Sequence, residues 1–347
     1  MKGPARDSDW IDTLSPAEIG PPNFDDSLRA WVLSRYSDVL AAFHCPSLLP
    51  SGLNSKPLSE VLSQDALQKM RRETCDVLSP AQLRIWGKRL SEAARSLAKK
   101  MPEKEPADLV GSYSRPLCLT LAAMVTGIEA RQAQRLCAVA EPISASAAEP
   151  YDPALKSDSR AANAKLRGLF GAGPEPLRDS GFVALAHTLP CLLANAWYAL
   201  LESPSEWRAL HNEPEFAKQA VEELLRCSAL PRILFRRAVQ DVEFNGVRIR
   251  KGERIVLRVL AANRDPEHFA HPNRLDVKRL RIRHLALGAG PHSCVGAGLI
   301  RMAAVSIMRP LLERFPAAEL VETVSWKGGS GFRFPAALWV RFGDESS

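Results

Sequence analysis

Residues 182–201 read FVALAHTLPCLLANAWYALL, a run apolar on every side of the helix it would form. Such a segment has two resting places: a bilayer, or the centre of a domain large enough to surround it. His187, Thr188, Pro190 and Asn195 interrupt the run, so the reading is a core helix and no membrane span. At 347 residues the chain can bury it, and with 46% apolar and 24% charged residues it is globular rather than disordered. The 46 Lys and Arg against 39 Asp and Glu leave +7, spread along the chain. That excess suits an acidic protein partner and, with no recognition motif beside it, argues against nucleic-acid binding. Seven scattered cysteines with no CxxC pair fit a reducing, cytoplasmic setting, and MKGPARDSDW at the start has no apolar run to act as a secretory signal.

Most of the chain reads as helix, followed by short strands and loops and then one more helix, which predicts a mainly α fold with small β-sheets. Over 79–101, Ser79 is placed to cap and Pro80 to open a helix whose Leu83, Trp86, Leu90, Ala94, Leu97 and Met101 form one apolar face. Residues 141–179 are small, polar and rich in Pro and Gly, and predict an irregular connection. Asn245-Gly246 between Val242, Phe244 and Val247, Ile249 predicts a hairpin closed by a type I′ turn. The run from Val295 to Phe315 predicts a helix broken or kinked at Pro310. No internal repeat is visible.

The segment LGAGPHSCVG, residues 287–296, sets Cys294 on a glycine-loosened turn just before that last helix. Unpaired N–H groups and the helix dipole at such a place favour an anion, which predicts a thiolate. Gly288, Gly290 and Gly296 keep side chains away from the sulfur, so one face is left clear for a flat ligand such as an iron porphyrin. Other readings of the residues remain: a small buried cysteine, a zinc ligand lacking a second ligand pair, or a nucleophile paired with His292.

LGAGPHSCVG resembles the haem-binding loop of the cytochrome P450 family, FGxGxHxCxG, with Leu287 where phenylalanine is usual. AVEELLR at 220–226 resembles the family's ExxR helix, and Arg279 falls where a second arginine clamps that glutamate. FRRAVQDVEFNGVRIRKGE with AANRDPEHFAHP, and WVLSRYSDV at 31–39, resemble the bacterial branch. The resemblance covers about 31–101 and 182–342. It implies the P450 fold, a single domain over 1–347 with haem between the long central helix and the cysteine loop. It implies haem b with Cys294 as proximal iron ligand, Leu287, Gly288 and Gly296 in the cofactor loop, and Arg71, Arg236 and His292 at the propionates. Leu67 stands where a further histidine is often found. Glu223, Arg226 and Arg279 are implied to be structural.

The pattern departs at Ala184-Leu185-Ala186-His187-Thr188, where the family sets its oxygen-activating residues. Thr188 is kept; Leu185 replaces the usual glycine and His187 the usual carboxylate. Pro190 removes an N–H and frees the carbonyl of Ala186, which predicts a distorted helix. His187 titrates near neutrality in its ordinary state and is placed either to relay protons or to be satisfied in the core. The lid region around 129–180 is shorter than the family's. The expected activity is monooxygenation of a small organic substrate, a secondary metabolite, with O₂ and electrons from a ferredoxin docking near Lys278, Arg281, Arg283 and Arg301. Alternatives are peroxide-driven oxidation, rearrangement or dehydration, or a non-catalytic haem or recruitment protein. Oligomeric state is left open.

Overall fold

The apolar run is buried by helices on several sides and by a short strand pair. The computed structural model describes residues 19–50, 64–170 and 179–343. Its helices are α1 (Tyr36–His44), α2 (Gln64–Val77), α3 (Pro80–Ala98), α4 (Arg115–Thr126), α5 (Ala130–Ala148), α6 (Pro153–Phe170), α7 (Asp179–Val183), α8 (Leu189–Leu201), α9 (Pro204–Asn212), α10 (Ala217–Cys227), α11 (Val259–Ala262) and α12 (Ala297–Arg314). Helices α7 and α8 are joined through a π-helical turn, Ala184–Thr188, into one rod. Ser180–Leu201 is long and apolar enough to cross a membrane, yet 78% of its apolar window is buried inside the protein. Burial satisfies the run without a bilayer.

The strands are β1 (Asn23–Asp25), β2 (Ala30–Leu33), β3 (Leu48–Pro50), β4 (Ala107–Asp108), β5 (Leu234–Ala238), β6 (Val242–Phe244), β7 (Val247–Ile249), β8 (Arg254–Leu257), β9 (Ala317–Leu320), β10 (Trp326–Gly328), β11 (Arg333–Pro335) and β12 (Trp339–Gly343). The largest sheet runs β1-β2-β8-β5-β3, with β2 and β8 parallel (Trp31 opposite Ile255) and the other pairs antiparallel. β4-β12-β9 form a second sheet, and β10-β11 and β6-β7 are two-stranded ribbons.

Helix α3 begins as its sequence requires: Ser79 Oγ accepts from Gln82 N–H at 3.4 Å, Pro80 is the first residue, and Trp86, Leu90 and Ala94 are buried. The hairpin turns through Asn245 (φ 53°) and Gly246 (φ 79°), pairing Phe244 with Val247 and Val242 with Ile249. Two expectations are corrected. Residues 141–170 are largely helical: Pro153 opens α6 at a position where its missing N–H is not needed, and the Ala and Ser residues around Pro142 sustain α5. Residues 171–178, and MKGPARDSDW, lie outside the described residues. Pro310 does not end the last helix, which continues to Arg314 with Met308, Pro310 and Leu311 buried. Burial of that face offsets the lost hydrogen bond.

Tyr113, Trp197 and Trp207 in the helical core each bring a polar atom to an acceptor. Tyr113 Oη donates to the carbonyl of Ile307 on α12 at 2.8 Å, and Trp207 Nε1 to that of Phe315 at 2.9 Å. Trp197 Nε1 donates to Ser114 Oγ at 2.9 Å, locking α8 to the turn before α4. Removing one partner of a buried hydrogen bond leaves the other desolvated, at about 1–3 kcal/mol. Trp197→Phe and Ser114→Ala are each expected to lower unfolding stability, with a coupling of about 0.5–3 kcal/mol in a double-mutant cycle read by urea denaturation; strict additivity would show that the bond carries no stability.

Candidate active site

The cysteine loop is shaped by two glycines in the left-handed region, Gly288 (φ 69°) and Gly290 (φ 66°). At Gly290 a Cβ would stand 2.7 Å from the carbonyl oxygen of Phe43, so the loop lies hard against the end of α1 and only glycine fits. Cys294 N–H donates to the carbonyl of Leu287 at 2.7 Å, closing the loop, and α12 starts three residues later. At Gly296 a Cβ would sit 3.8 Å from Cys294 Sγ, so a side chain there would cover part of the sulfur. Burial pushes the Cys294 thiol up, outweighing the Gly296 N–H and the charges of Arg71 and Arg301 that favour the anion.

Three basic side chains converge on this loop. Arg71, on α2, donates to the carbonyl of Ser293 at 2.8 Å and to its hydroxyl at 3.2 Å, whereas Arg72 faces solvent. Arg236, on β5, is 6% exposed, lies over the Phe43 ring and reaches the carbonyl of Phe235 at 2.9 Å. Burial pushes its guanidinium down to about 10. His292 is held below the usual histidine range by burial and then by Arg236 and Arg71. Among the described residues no carboxylate pairs with any of the three. A buried guanidinium beside a second arginine and a histidine calls for an anionic ligand, and two carboxylates on a flat molecule facing a soft sulfur donor would meet that need. The residues present therefore fit haem. The side chain of Leu67 lies outside the described residues.

Glu223 and Arg226 are 0% exposed and joined by two hydrogen bonds of 2.8 Å. Arg279 adds a third contact to Glu223 at 3.0 Å, and Asp276 N–H a fourth at 3.1 Å. Arg226 also donates to the carbonyls of Asn263 and Pro272. Asn263 Oδ1 in turn accepts from Leu285 N–H at 2.7 Å, so the clamp is bonded onward into the segment that enters the cysteine loop. Sequence reasoning missed Asn263; its place in AANRDP was the available signal.

On the central helix the distortion expected at Pro190 is present as the π turn, with Leu189 N–H bonded to the carbonyl of Ala184. Leu185 is 2% exposed and belongs to the core. Thr188 Oγ1 lies 3.2 Å from Ser144 Oγ on α5, a partner with no signal in the sequence. His187 is 8% exposed, stands edge-on to Phe334 and has Nε2 3.9 Å from Cys191 Sγ, while its Nδ1 has no hydrogen-bond partner among the described residues. Burial lowers its pKa from the ordinary histidine value, only partly opposed by Glu141, with Arg115 and Lys327 adding to the depression. Burial thus favours the neutral imidazole.

Of the basic residues near the loop, Lys278 is paired with Glu213, while Arg301 holds Glu222 in a two-pronged contact at 2.6 and 2.9 Å. Arg281 and Arg283 are exposed. Burial acts to raise Glu222, but His284, whose Nε2 lies 3.3 Å away, and the hydrogen bonds from Arg301 prevail and hold it at about 2. A carboxyl depressed on folding contributes stability above its unfolded pKa, and that contribution is lost as pH falls through the folded value. Stability is therefore expected to fall between about pH 4.5 and 2, and Glu222→Gln to flatten that limb in acid denaturation. Glu223→Gln would leave Arg226 buried and uncompensated, with an expected loss of about 3–5 kcal/mol in urea unfolding.

The match to the family model described as cytochrome P450 spans residues 207–325. Nocardicin C N-oxygenase of Nocardia uniformis subsp. tsuyamanensis is 29% identical, the alignment covering 89% of each chain. The crystal structure of the LnmA cytochrome P450 hydroxylase from the leinamycin biosynthetic pathway of Streptomyces atroolivaceus is similar at a TM-score of 0.76 and 28% identity over 90% of each chain. That of P450BioI in complex with a fatty-acid-ligated acyl carrier protein has a TM-score of 0.86 at 21% identity, covering 97% of this chain and 99% of that one, a likeness of fold. The fold, the curated relatives and the family model agree: what this chain is similar to is the cytochrome P450 family.

Proposed function

We propose that the protein is a monooxygenase that uses haem b to oxidise a small organic substrate, a secondary metabolite, with O₂ and electrons from a ferredoxin. The observation that carries this reading is Cys294 on a loop ringed by Arg71, Arg236 and His292, three basic groups with no carboxylate partner among the described residues. Cys294 would be the iron ligand, the three basic side chains would take the propionates, and Leu287, Gly288 and Gly296 would shape the loop beside the ring. Haem, when bound, supplies an iron centre able to activate dioxygen. The single-domain reading over 1–347, with a shortened lid around 129–180, belongs to the same proposal; α5 and α6 form its lid, and α5 packs against the π turn.

Thr188 and His187 are the proposed catalytic pair. A neutral imidazole with an unpartnered Nδ1 can hold a proton there and release it, and the Thr188 hydroxyl, in contact with Ser144, can pass one on. Glu223, Arg226 and Arg279 hold the loop and take no part in the chemistry. Arg281 and Arg283 support a basic docking face for an acidic electron donor, while Lys278 and Arg301 are engaged with Glu213 and Glu222. A second reading, oxidation with peroxide or a non-oxygenating rearrangement or dehydration, is favoured by one observation: Leu185 fills the position of the usual glycine and is buried.

The ferrous–CO spectrum tests ligation: the haem-loaded protein is expected to show the red-shifted thiolate band and Cys294→Ser to lose it, while an unshifted band in the parent protein sinks the assignment. Product formation coupled to O₂ and reduced ferredoxin is expected; product with peroxide alone and none with reductant would select the second reading. His187→Ala is expected to release reduced oxygen at the expense of product, read as the ratio of electrons consumed to product formed, and an unchanged ratio removes His187 from the mechanism.

A further inference from the structure

Ser144 is the one polar side chain among the buried residues of α5; Ala133, Leu136, Val139, Ala140 and Ala148 make up the rest. It is 3% exposed, and its hydroxyl lies 3.2 Å from Thr188 Oγ1 on the π turn. An apolar face of this kind has no packing need for a hydroxyl, and burying one costs free energy unless it is hydrogen-bonded. Thr188 is the partner that offsets that cost.

The threonine, for its part, has lost its usual acceptor. A threonine inside a helix commonly donates to the carbonyl four residues earlier, and two residues of α4 do so: Thr120 to Pro116 at 2.9 Å and Thr126 to Ala122 at 2.6 Å. For Thr188 that carbonyl belongs to Ala184, which accepts instead from Leu189 N–H across the π turn. The hydroxyl is thus released from its own helix, and among the described residues its hydrogen bond is with Ser144. Each hydroxyl has a single hydrogen and room to accept. If Thr188 donated, the hydrogen of buried Ser144 would have no acceptor among the described residues, and a desolvated donor would be left unpaired. If Ser144 donates, its hydrogen is used and that of half-buried Thr188 stays free.

We infer that Ser144 is a positioning residue: by donating to Thr188 Oγ1 it keeps the threonine's own hydrogen free to be passed on in the proposed chemistry. The inference rests on the haem-thiolate reading and on Thr188 as a proton donor, and on no particular substrate. It is tested on the haem-loaded protein without substrate, comparing the parent, Ser144→Ala, Thr188→Ala and the double variant. The measurements are the infrared C–O stretch of the ferrous–CO complex and the rate at which reduced protein returns to the ferric state in air-saturated buffer. Ser144→Ala is expected to move or split the C–O band and to change the rate about twofold or more, in the same direction as Thr188→Ala. In the Thr188→Ala background it is expected to change nothing further, since it acts through that hydroxyl. Should Ser144→Ala fail to load haem, Ser144→Cys, of similar size and a weaker donor, is expected to show the same changes in smaller measure. A red-shifted CO band with parent-like stretch and rate in the Ser144 variant would overturn the inference and leave the haem-thiolate reading standing. So would a further change when Ser144→Ala is added to Thr188→Ala, or a Thr188→Ala protein indistinguishable from the parent. An unshifted CO band in the parent would take the reading and the inference down together.

Discussion

The buried pair of Glu223 and Arg226 is the constraint on which the cysteine loop depends. Two ions with no exposure to solvent are stabilised only if their hydrogen-bonding capacity is nearly exhausted, and here Glu223 receives Arg226, Arg279 and the Asp276 amide while Arg226 also reaches main-chain carbonyls. The consequence lies downstream. Arg226 holds the carbonyl of Asn263, the Asn263 side chain holds Leu285, Leu285 accepts from Gly288, and Leu287 accepts from Cys294. An unbroken line of hydrogen bonds and short chain links thus leads from the clamp to the sulfur.

This explains why the loop can be so open and still be placed. Glycines at 288 and 290 surrender conformational freedom on folding, a cost set by their large unfolded-state entropy. Both ends of the loop are fixed from outside: by the clamp through Leu285, and by Phe43 through its contact at Gly290. Arg71 adds a third tether at Ser293.

The elements legible in the sequence were those whose cause is local. Ser79-Pro80 and the spacing from Leu83 to Met101 specify α3, and Asn245-Gly246 specifies its turn, because capping and positive φ are decided within a few residues. Glu223 and Arg226 are three apart and could be paired from spacing, but the approach of Arg279 across 56 positions was reached through family resemblance. The helical residues of 141–170 were misread because small residues and prolines look like a loop. Pro153 sits where a helix tolerates it, and Ala supports helix more strongly than composition alone conveys. The Cys294 thiol depends on more than its place in the chain: a helix start is visible in sequence, whereas the desolvation that opposes ionisation depends on what folds over it.

His187 and Leu185 show the same limit from the other side. Their types were read correctly as departures, but the chemistry they permit is set by neighbours on other elements. The π turn widens the backbone at 184–188, Leu185 is absorbed into the core, and Thr188 meets Ser144 on α5. Since α5 belongs to the proposed lid, movement of that helix would change the company of the threonine directly. In most helices a proline two residues after a functional hydroxyl would be a defect to be compensated. Here the backbone has already widened by the time Pro190 is reached, and the strain is taken up where the catalytic pair is proposed to act.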